Sequence, residues 1–210
     1  MSDVITFNTE DAVKTPVKQQ VEIFKLVPET DPILNEVMPE FDFSNPPVNP
    51  NTFASSLVET CKRHNGLGLS ANQCGFNYRV FVMGMDDNYV AFFNPKLVSM
   101  SDEMALMDEG CLSYPLLSLK ISRPKEIMVE YQDFNGEIRN TKLTGISARC
   151  FLHELDHMNG ITYHTHVKPL SLKMAEKRRV SIKLKRKQLE KVISKKAKEQ
   201  TNANGQRNSR

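Results

Sequence analysis

The fold is decided by residues 126–160, EIMVEYQDFNGEIRNTKLTGISARCFLHELDHMNG. In the first half of this stretch apolar and polar residues alternate, and Asn135-Gly136 is a strong signal for a tight turn between two strands. An antiparallel hairpin is therefore predicted over 126–143. After Gly145 the spacing of the apolar residues changes to the helical period, which predicts a helix through His157 that stops at Asn159-Gly160.

Other elements flank this stretch on both sides. They are a helix over 52–64 capped by Asn49 or Asn51, strands over 79–85 and 89–93, and a charged, weakly amphipathic helix over 170–198. We therefore predict an α+β fold in which antiparallel strands pack around one central helix. This central helix carries the pattern His153-Glu154-Leu155-Asp156-His157 (HExxH), and a basic helix follows at the C-terminus.

Charge divides the 210-residue chain into unequal parts. Residues 168–210 contain 15 Lys and Arg against three Glu, whereas the part before them contains 13 basic and 22 acidic residues. We predict an N-terminal arm over 1–21, a catalytic domain over 22–167, and a basic C-terminal helical extension over 168–210 with a disordered end. A basic extension indicates an anionic partner, although a helix that merely aids solubility is the alternative.

Composition also bears on the cellular compartment. No segment approaches the roughly 20 consecutive apolar residues that span a bilayer, and the N-terminus lacks an apolar signal core. The four cysteines lie far apart without a CxxC pair, which favours a reducing compartment over a disulfide framework. We expect a cytoplasmic monomer that does not bind membranes.

The HExxH pattern predicts a metal-dependent hydrolase. On a helix, His153 and His157 point only about 40° apart, so both imidazoles can bind one ion. Glu154 is rotated by about 100° from His153, which places its carboxylate beside the ion. There it can act as general base, taking a proton from the attacking water and passing it to the leaving group. A structural helix with two exposed histidines is the alternative interpretation.

A third ligand is needed, because a catalytic site normally has three protein ligands and one open position. A metzincin-type protease would have a histidine at position 163, but this residue is Tyr163, and His164 is one place out of register. Glu176 stands at the distance that a thermolysin-type protease would use. Cys111 is the other candidate ligand, because thiolates bind Zn²⁺ and Fe²⁺.

Glycines indicate where a substrate could bind. Gly66 and Gly68 allow a close approach that a side chain would block, so an extended peptide could pair with this segment as an added strand. A tight turn after a helix is the alternative.

Three motifs in one order resemble those of the peptide deformylase family. Residues 66–73 (GLGLSANQ) resemble its GxGLAAxQ motif, residues 109–113 match EGCLS in full, and residues 153–157 match HExxH. Further similarities extend the resemblance over most of residues 22–167. Two positions depart from the family: Leu152 replaces the usual glutamine and Ser70 the usual alanine. We expect neither residue to contact a ligand or the base.

The resemblance implies a role for each matching residue. Cys111, His153 and His157 would bind the ion, which would be Fe²⁺ in the cell, with Zn²⁺, Ni²⁺ or Co²⁺ as possible occupants. The side-chain amide of Gln73 and the backbone N–H of Leu112 would stabilise the oxyanion. The general base would be Glu154, as the helix geometry already indicates.

Substrate contacts follow from the same resemblance. Leu67, Ile146 and Cys150 would form the pocket for the methionine side chain, and Gly110 would lie against the substrate. The activity implied is removal of the N-formyl group from the N-terminal methionine of nascent polypeptides, with release of formate. The basic extension would then contact ribosomal RNA. An HExxH endopeptidase and a nucleic-acid-binding protein with a degenerate enzyme body are the competing functions.

Two charged residues are expected to support the site. Arg123 is the candidate ion-pair partner of Asp156, which lies on the helix near the histidines. Glu109 is expected to accept hydrogen bonds that brace the site, although a solvated surface glutamate is the alternative.

Overall fold

A computed structural model describes the backbone of residues 21–207 and the side chains of residues 21–195. Residues 1–20, nearly all of the predicted N-terminal arm, lie outside the described residues. The helices are α1 (Pro50–Arg63), α2 (Gly145–Met158) and α3 (Pro169–Arg207). The strands are β1 (Gly68–Ser70), β2 (Val80–Met85), β3 (Asn88–Met100), β4 (Met104–Cys111), β5 (Tyr114–Pro124), β6 (Glu126–Gln132) and β7 (Ile138–Thr144).

The strands form two antiparallel sheets. One sheet has five strands in the order β1-β2-β3-β6-β7, and the other consists of β4 and β5. The hairpin predicted over 126–143 is β6-β7, and Gly136 in its turn has a φ of 83°, a conformation that favours glycine. The predicted α+β class with antiparallel strands is confirmed.

Apolar residues cover both faces of the five-stranded sheet. Along β2, Phe81 and Met83 pack in the same cluster as Phe151 of α2, whereas Val80 and Val82 pack with Leu57 of α1. Successive side chains of a strand point to opposite faces, so α1 and α2 lie on opposite sides of this sheet. The burial of both faces fixes the position of α2, the helix that carries HExxH.

Local signals set the ends of α1. The Asn49 side chain accepts a hydrogen bond from the backbone N–H of Thr52 at 2.9 Å, and Pro50 occupies the first turn. After the helix, Asn65 takes a left-handed φ of 53°. Asn49 is therefore the N-cap of α1. At the other end, the left-handed conformation of Asn65 ends the helix and leads the chain into Gly66 and β1.

The β4-β5 hairpin packs against the beginning of α3. Leu119 and Ile121 of β5 share an apolar cluster with Tyr163 and with Ala175 of α3. Arg179 of α3 donates a hydrogen bond from Nε to the carbonyl oxygen of Pro115 at 2.9 Å. The first turns of α3 are therefore part of the packed body.

The rest of α3 leaves the body. It continues through Arg207, beyond the end predicted near Lys198, and its apolar residues Val180, Leu184 and Leu189 are exposed. Within residues 21–207, no helix combines the length and the apolar character that crossing a bilayer requires.

Candidate active site

One stripe of α2 carries an arginine and two histidines. Arg149, His153 and His157 follow each other at four-residue intervals, so they lie on one face of the helix, and all three are buried. The face is buried because α2 packs between the five-stranded sheet and the β4-β5 hairpin.

Cys111 comes to this stripe from the end of β4. The pairing of β4 with β5 is irregular between Glu109 and Cys111, just before the turn at Leu112-Ser113. The Cys111 sulfur lies 3.3 Å from Nε2 of His157, and one donor atom each of Cys111, His153 and His157 lies within 4.8 Å of the others. Among residues 21–195 this is the only such cluster of three.

The cluster fits a divalent metal ion. Donors of one tetrahedral ion with bonds of 2.0–2.3 Å lie about 3.3–3.8 Å apart, close to the sulfur–nitrogen distance seen here. Burial acts to raise the pKa of Cys111, but His157 and His153 outweigh it and hold this pKa well below the ordinary thiol range. The lowered pKa favours the thiolate, the form that binds metals.

Glu109 orients His153. Its Oε2 lies 3.2 Å from Nδ1 of His153, so Nδ1 donates to the carboxylate and Nε2 is left to face the cluster. Arg123 binds the same carboxylate through two hydrogen bonds of 2.9 and 3.0 Å, and Arg149 donates to Oε1 at 2.5 Å. Burial opposes ionisation of Glu109, but His153 and Arg123 outweigh it and lower the pKa to about 2.

The predicted ion pair between Arg123 and Asp156 is confirmed. Nη1 of Arg123 donates to Oδ2 of Asp156 at 2.7 Å. Nε2 of His166 lies 2.7 Å from the same oxygen, and sequence reasoning did not identify this residue. The predicted hydrogen bonding of Glu109 is also confirmed, so a chain of hydrogen-bonded polar groups runs from His153 to His166.

The expectation that Ser70 makes no contact with the base is wrong. The Ser70 hydroxyl donates to Oε2 of Glu154 at 2.7 Å, because β1 lies directly beside α2. Burial raises the pKa of Glu154, and the nearby histidines and Ser70 oppose this shift. Leu152, the other departure from the family, packs in the apolar core between α2 and the sheet.

Gln73 reaches the cluster from the short 3-10 turn Ala71–Cys74. Its Oε1 accepts from the backbone N–H of Ser70 at 2.8 Å, which orients the amide. Its Nε2 then lies 3.3 Å from the Cys111 sulfur and 3.0 Å from the Ser113 hydroxyl. The N–H₂ group is thus aimed at the region where an ion and a substrate oxygen would meet.

A cavity of about 600 Å³ opens over the cluster. Every residue predicted for the site lines it except His157, which is buried. Two of its glycines are closely approached by side chains, because a Cβ on Gly68 would lie 2.4 Å from Glu154 Oε1 and a Cβ on Gly66 would lie 2.8 Å from the Leu112 side chain. A Cβ on Gly110 would make only an ordinary contact, 3.8 Å from the Leu117 carbonyl oxygen.

Sequence reasoning missed several residues of the cavity. Arg149 could have been found, since it stands one turn before His153 on the same helix face. Met107 and Leu116 carry no such signal. Glu176, the alternative third ligand, is exposed and does not belong to the cluster.

Comparisons with known proteins agree with this geometry. The family described as "Polypeptide deformylase" matches residues 23–173. A peptide deformylase of Thermotoga neapolitana is 38% identical over 126 residues, which are 60% of this chain and 77% of the relative. One of Wolbachia pipientis is 39% identical over 142 residues, 61% of this chain and 79% of the relative.

Solved structures give the same result. The crystal structure of peptide deformylase from Thermotoga maritima has a TM-score of 0.63 and 33% identity, covering 70% of this chain and 99% of the other. A plant peptide deformylase has a TM-score of 0.70 and 26% identity, covering 82% and 95%. The match spans most of this chain, and the chain therefore belongs to the peptide deformylase family.

Proposed function

We propose that this protein removes the formyl group from the N-terminal formylmethionine of nascent polypeptides and releases formate. The observation that carries the proposal is the convergence of Cys111, His153 and His157 at one end of a cavity that Glu154 also lines. Family membership supports the same activity, since the relatives are peptide deformylases.

Cys111, His153 and His157 would hold a divalent ion, for which we propose Fe²⁺, with Zn²⁺, Ni²⁺ or Co²⁺ as possible substitutes. When bound, the ion supplies Lewis acidity that lowers the pKa of water and polarises the formyl oxygen. With a divalent ion bound, one thiolate and two neutral imidazoles would leave a net positive charge at the site, which would favour an anionic transition state.

The protein groups would move the proton and stabilise the negative charge. Glu154, buried and with a raised pKa, would take the proton from the attacking water and give it to the departing amine. The Gln73 amide and the backbone N–H of Leu112 would donate to the oxyanion. Each such donor typically contributes ~10²–10³ in rate.

The substrate would lie along β1 and the adjoining segment. Gly66 and Gly68 would allow the peptide backbone to approach, and Gly110 would border it from the hairpin side. The methionine side chain would occupy the part of the cavity lined by Leu67, Ile146 and Cys150.

The decisive experiment measures formate released from formyl-Met-Ala-Ser. Wild type should be active, Glu154→Ala should retain the ion but lose nearly all turnover, and Cys111→Ala should lose both. Glu176→Ala is the matched control, since this exposed carboxylate would be essential only in a thermolysin-type protease. Loss of activity in Glu176→Ala with retention in Cys111→Ala would reject the proposal.

For α3 we propose contact with ribosomal RNA, in a cytoplasmic, monomeric enzyme. The part of the helix beyond Arg179 leaves the body and is rich in Lys and Arg, which release counterions from phosphates on binding. A truncation after Lys183 keeps Arg179 and the packed turns. It should weaken cosedimentation with ribosomes, most clearly at low salt, while turnover of the tripeptide persists. Unchanged cosedimentation would contradict the proposed contact.

A further inference from the structure

Leu116 has an unfavourable backbone conformation. Its φ is 68°, in the left-handed region that glycine prefers. The other non-glycine residues with positive φ between residues 21 and 207 are Asn65, Asp86 and Asn94, whose short polar side chains tolerate this region. Leucine has no such compensation, so its conformation must be held by the surrounding structure.

Two hydrogen bonds hold the backbone on either side of this residue. Nε of Arg179 donates to the carbonyl oxygen of Pro115 at 2.9 Å, and the Tyr163 hydroxyl donates to the carbonyl oxygen of Leu117 at 2.8 Å. Tyr163 is fully enclosed in the apolar cluster beneath the hairpin. Strained conformations that are fixed from several directions occur preferentially at functional sites.

Leu116 borders the cavity over the Cys-His-His cluster. It is half-buried and lies between exposed Pro115 and buried Leu117, whereas Cys150 and Glu154 are buried at the inner end. A peptide whose formylated residue occupies that inner end would place its second side chain nearer the mouth. Glycine at position 116 would relieve the backbone strain but would remove the apolar side chain from the cavity wall.

We propose that Leu116 is a specificity-determining residue that contacts the second side chain of the formylated peptide and favours an apolar one. This inference rests on the deformylase activity proposed above. The strained conformation is then retained because the leucine side chain binds substrate, and its removal should weaken binding while it stabilises the fold.

The test compares formyl-Met-Leu-Ser with formyl-Met-Gly-Ser. Leu116→Gly should raise the melting temperature and reduce kcat/KM for the leucine peptide about five- to tenfold, through KM, with little change for the glycine peptide. Leu116→Ala should lose the same preference without the gain in stability, because alanine keeps the strained backbone.

Asp86→Gly is the matched control. Asp86 has a φ of 54° in the β2-β3 turn and does not line the cavity, so glycine there should stabilise the protein and leave the substrate preference unchanged. An unchanged ratio of the two peptides in both Leu116 variants would overturn the inference, as would destabilisation by Leu116→Gly. If wild type released no formate from either peptide, the proposed function itself would fail.

Discussion

The Ser70 hydroxyl donates a 2.7 Å hydrogen bond to Oε2 of Glu154, across 84 residues of sequence. Ser70 ends β1 and Glu154 lies in the third turn of α2, so the bond depends on the packing of that edge strand against the helix. The bond stabilises the charged carboxylate, whereas burial favours the neutral acid. The Ser70 hydroxyl therefore acts to lower the pKa of Glu154, the residue proposed as the general base.

Removing this hydroxyl should shift the pH dependence of turnover. Ser70→Ala deletes a donor that lowers the pKa of Glu154, so this pKa rises further and the carboxylate is lost at a higher pH. We expect the acidic limb of kcat/KM against pH to move upward, with the basic limb unchanged. A limb that stays in place, or moves to lower pH, would show that the hydroxyl has no such effect.

Gly68→Ala should inactivate the enzyme without unfolding it. The added Cβ would lie 2.4 Å from Glu154 Oε1 and 2.9 Å from the Cys150 sulfur, so the carboxylate must shift. Misplacing a catalytic group by about 1 Å typically costs about 100-fold in rate. The measurement is formate release, with the melting temperature as the control for folding. Full activity in this variant would mean that Glu154 can move without consequence.

Glu109→Gln should weaken both the fold and the metal site. The substitution leaves the buried Arg123 and Arg149 without their common counter-ion, which costs about 3–5 kcal/mol in unfolding free energy. It also replaces one of the two acceptor oxygens with an NH₂ donor, so His153 and the two arginines compete for a single oxygen, and affinity for Zn²⁺ should fall about 10–100-fold in a chelator competition.

Glu103→Gln is the control for this prediction, because the pair between Glu103 and Lys125 is exposed and should contribute at most about 1 kcal/mol. Equal effects of the two substitutions would contradict the role assigned to Glu109.

Thiol labelling should distinguish Cys111 from the other cysteines. Burial raises the pKa of Cys61 and of Cys74 to about 12 and raises that of buried Cys150 well above the ordinary value, whereas the pKa of Cys111 is lowered. In chelator-treated protein at about pH 7, iodoacetamide should modify Cys111 first, because the thiolate is the nucleophile. Added Zn²⁺ should protect it, and peptide mass mapping reads the result. Faster labelling of Cys61 would contradict this assignment.

Local signals explain which elements the sequence predicted. The β6-β7 hairpin and α2 follow from alternation, from Asn135-Gly136 and from the change of period after Gly145. Strand β4 gave no comparable signal because its pattern is inverted, whereas β5 does alternate, with buried Leu119 and Ile121 on either side of exposed Lys120. Glu109 and Arg123 are 6% and 5% exposed, whereas Leu106 is 65% exposed. The buried charges compensate each other across the hairpin, which a pattern of apolar residues cannot reveal.

Contacts between distant segments explain what the sequence missed at the site. The motifs named the three cluster residues, but they contain no information on Ser70 against Glu154 or on Arg179 against Pro115, which lie 84 and 64 residues apart. Both contacts arise from the packing of whole elements, β1 on α2 and α3 on β5.

The three residues of the cluster belong to two separate parts of the architecture. Cys111 ends a strand of the two-stranded sheet, while His153 and His157 lie on the helix that covers the five-stranded sheet. An ion held by all three residues would cross-link these two parts, in addition to any chemistry it performs. Stripping the ion should therefore loosen the hairpin first, and amide hydrogen exchange in residues 104–124 would reveal that loosening before any change in the larger sheet.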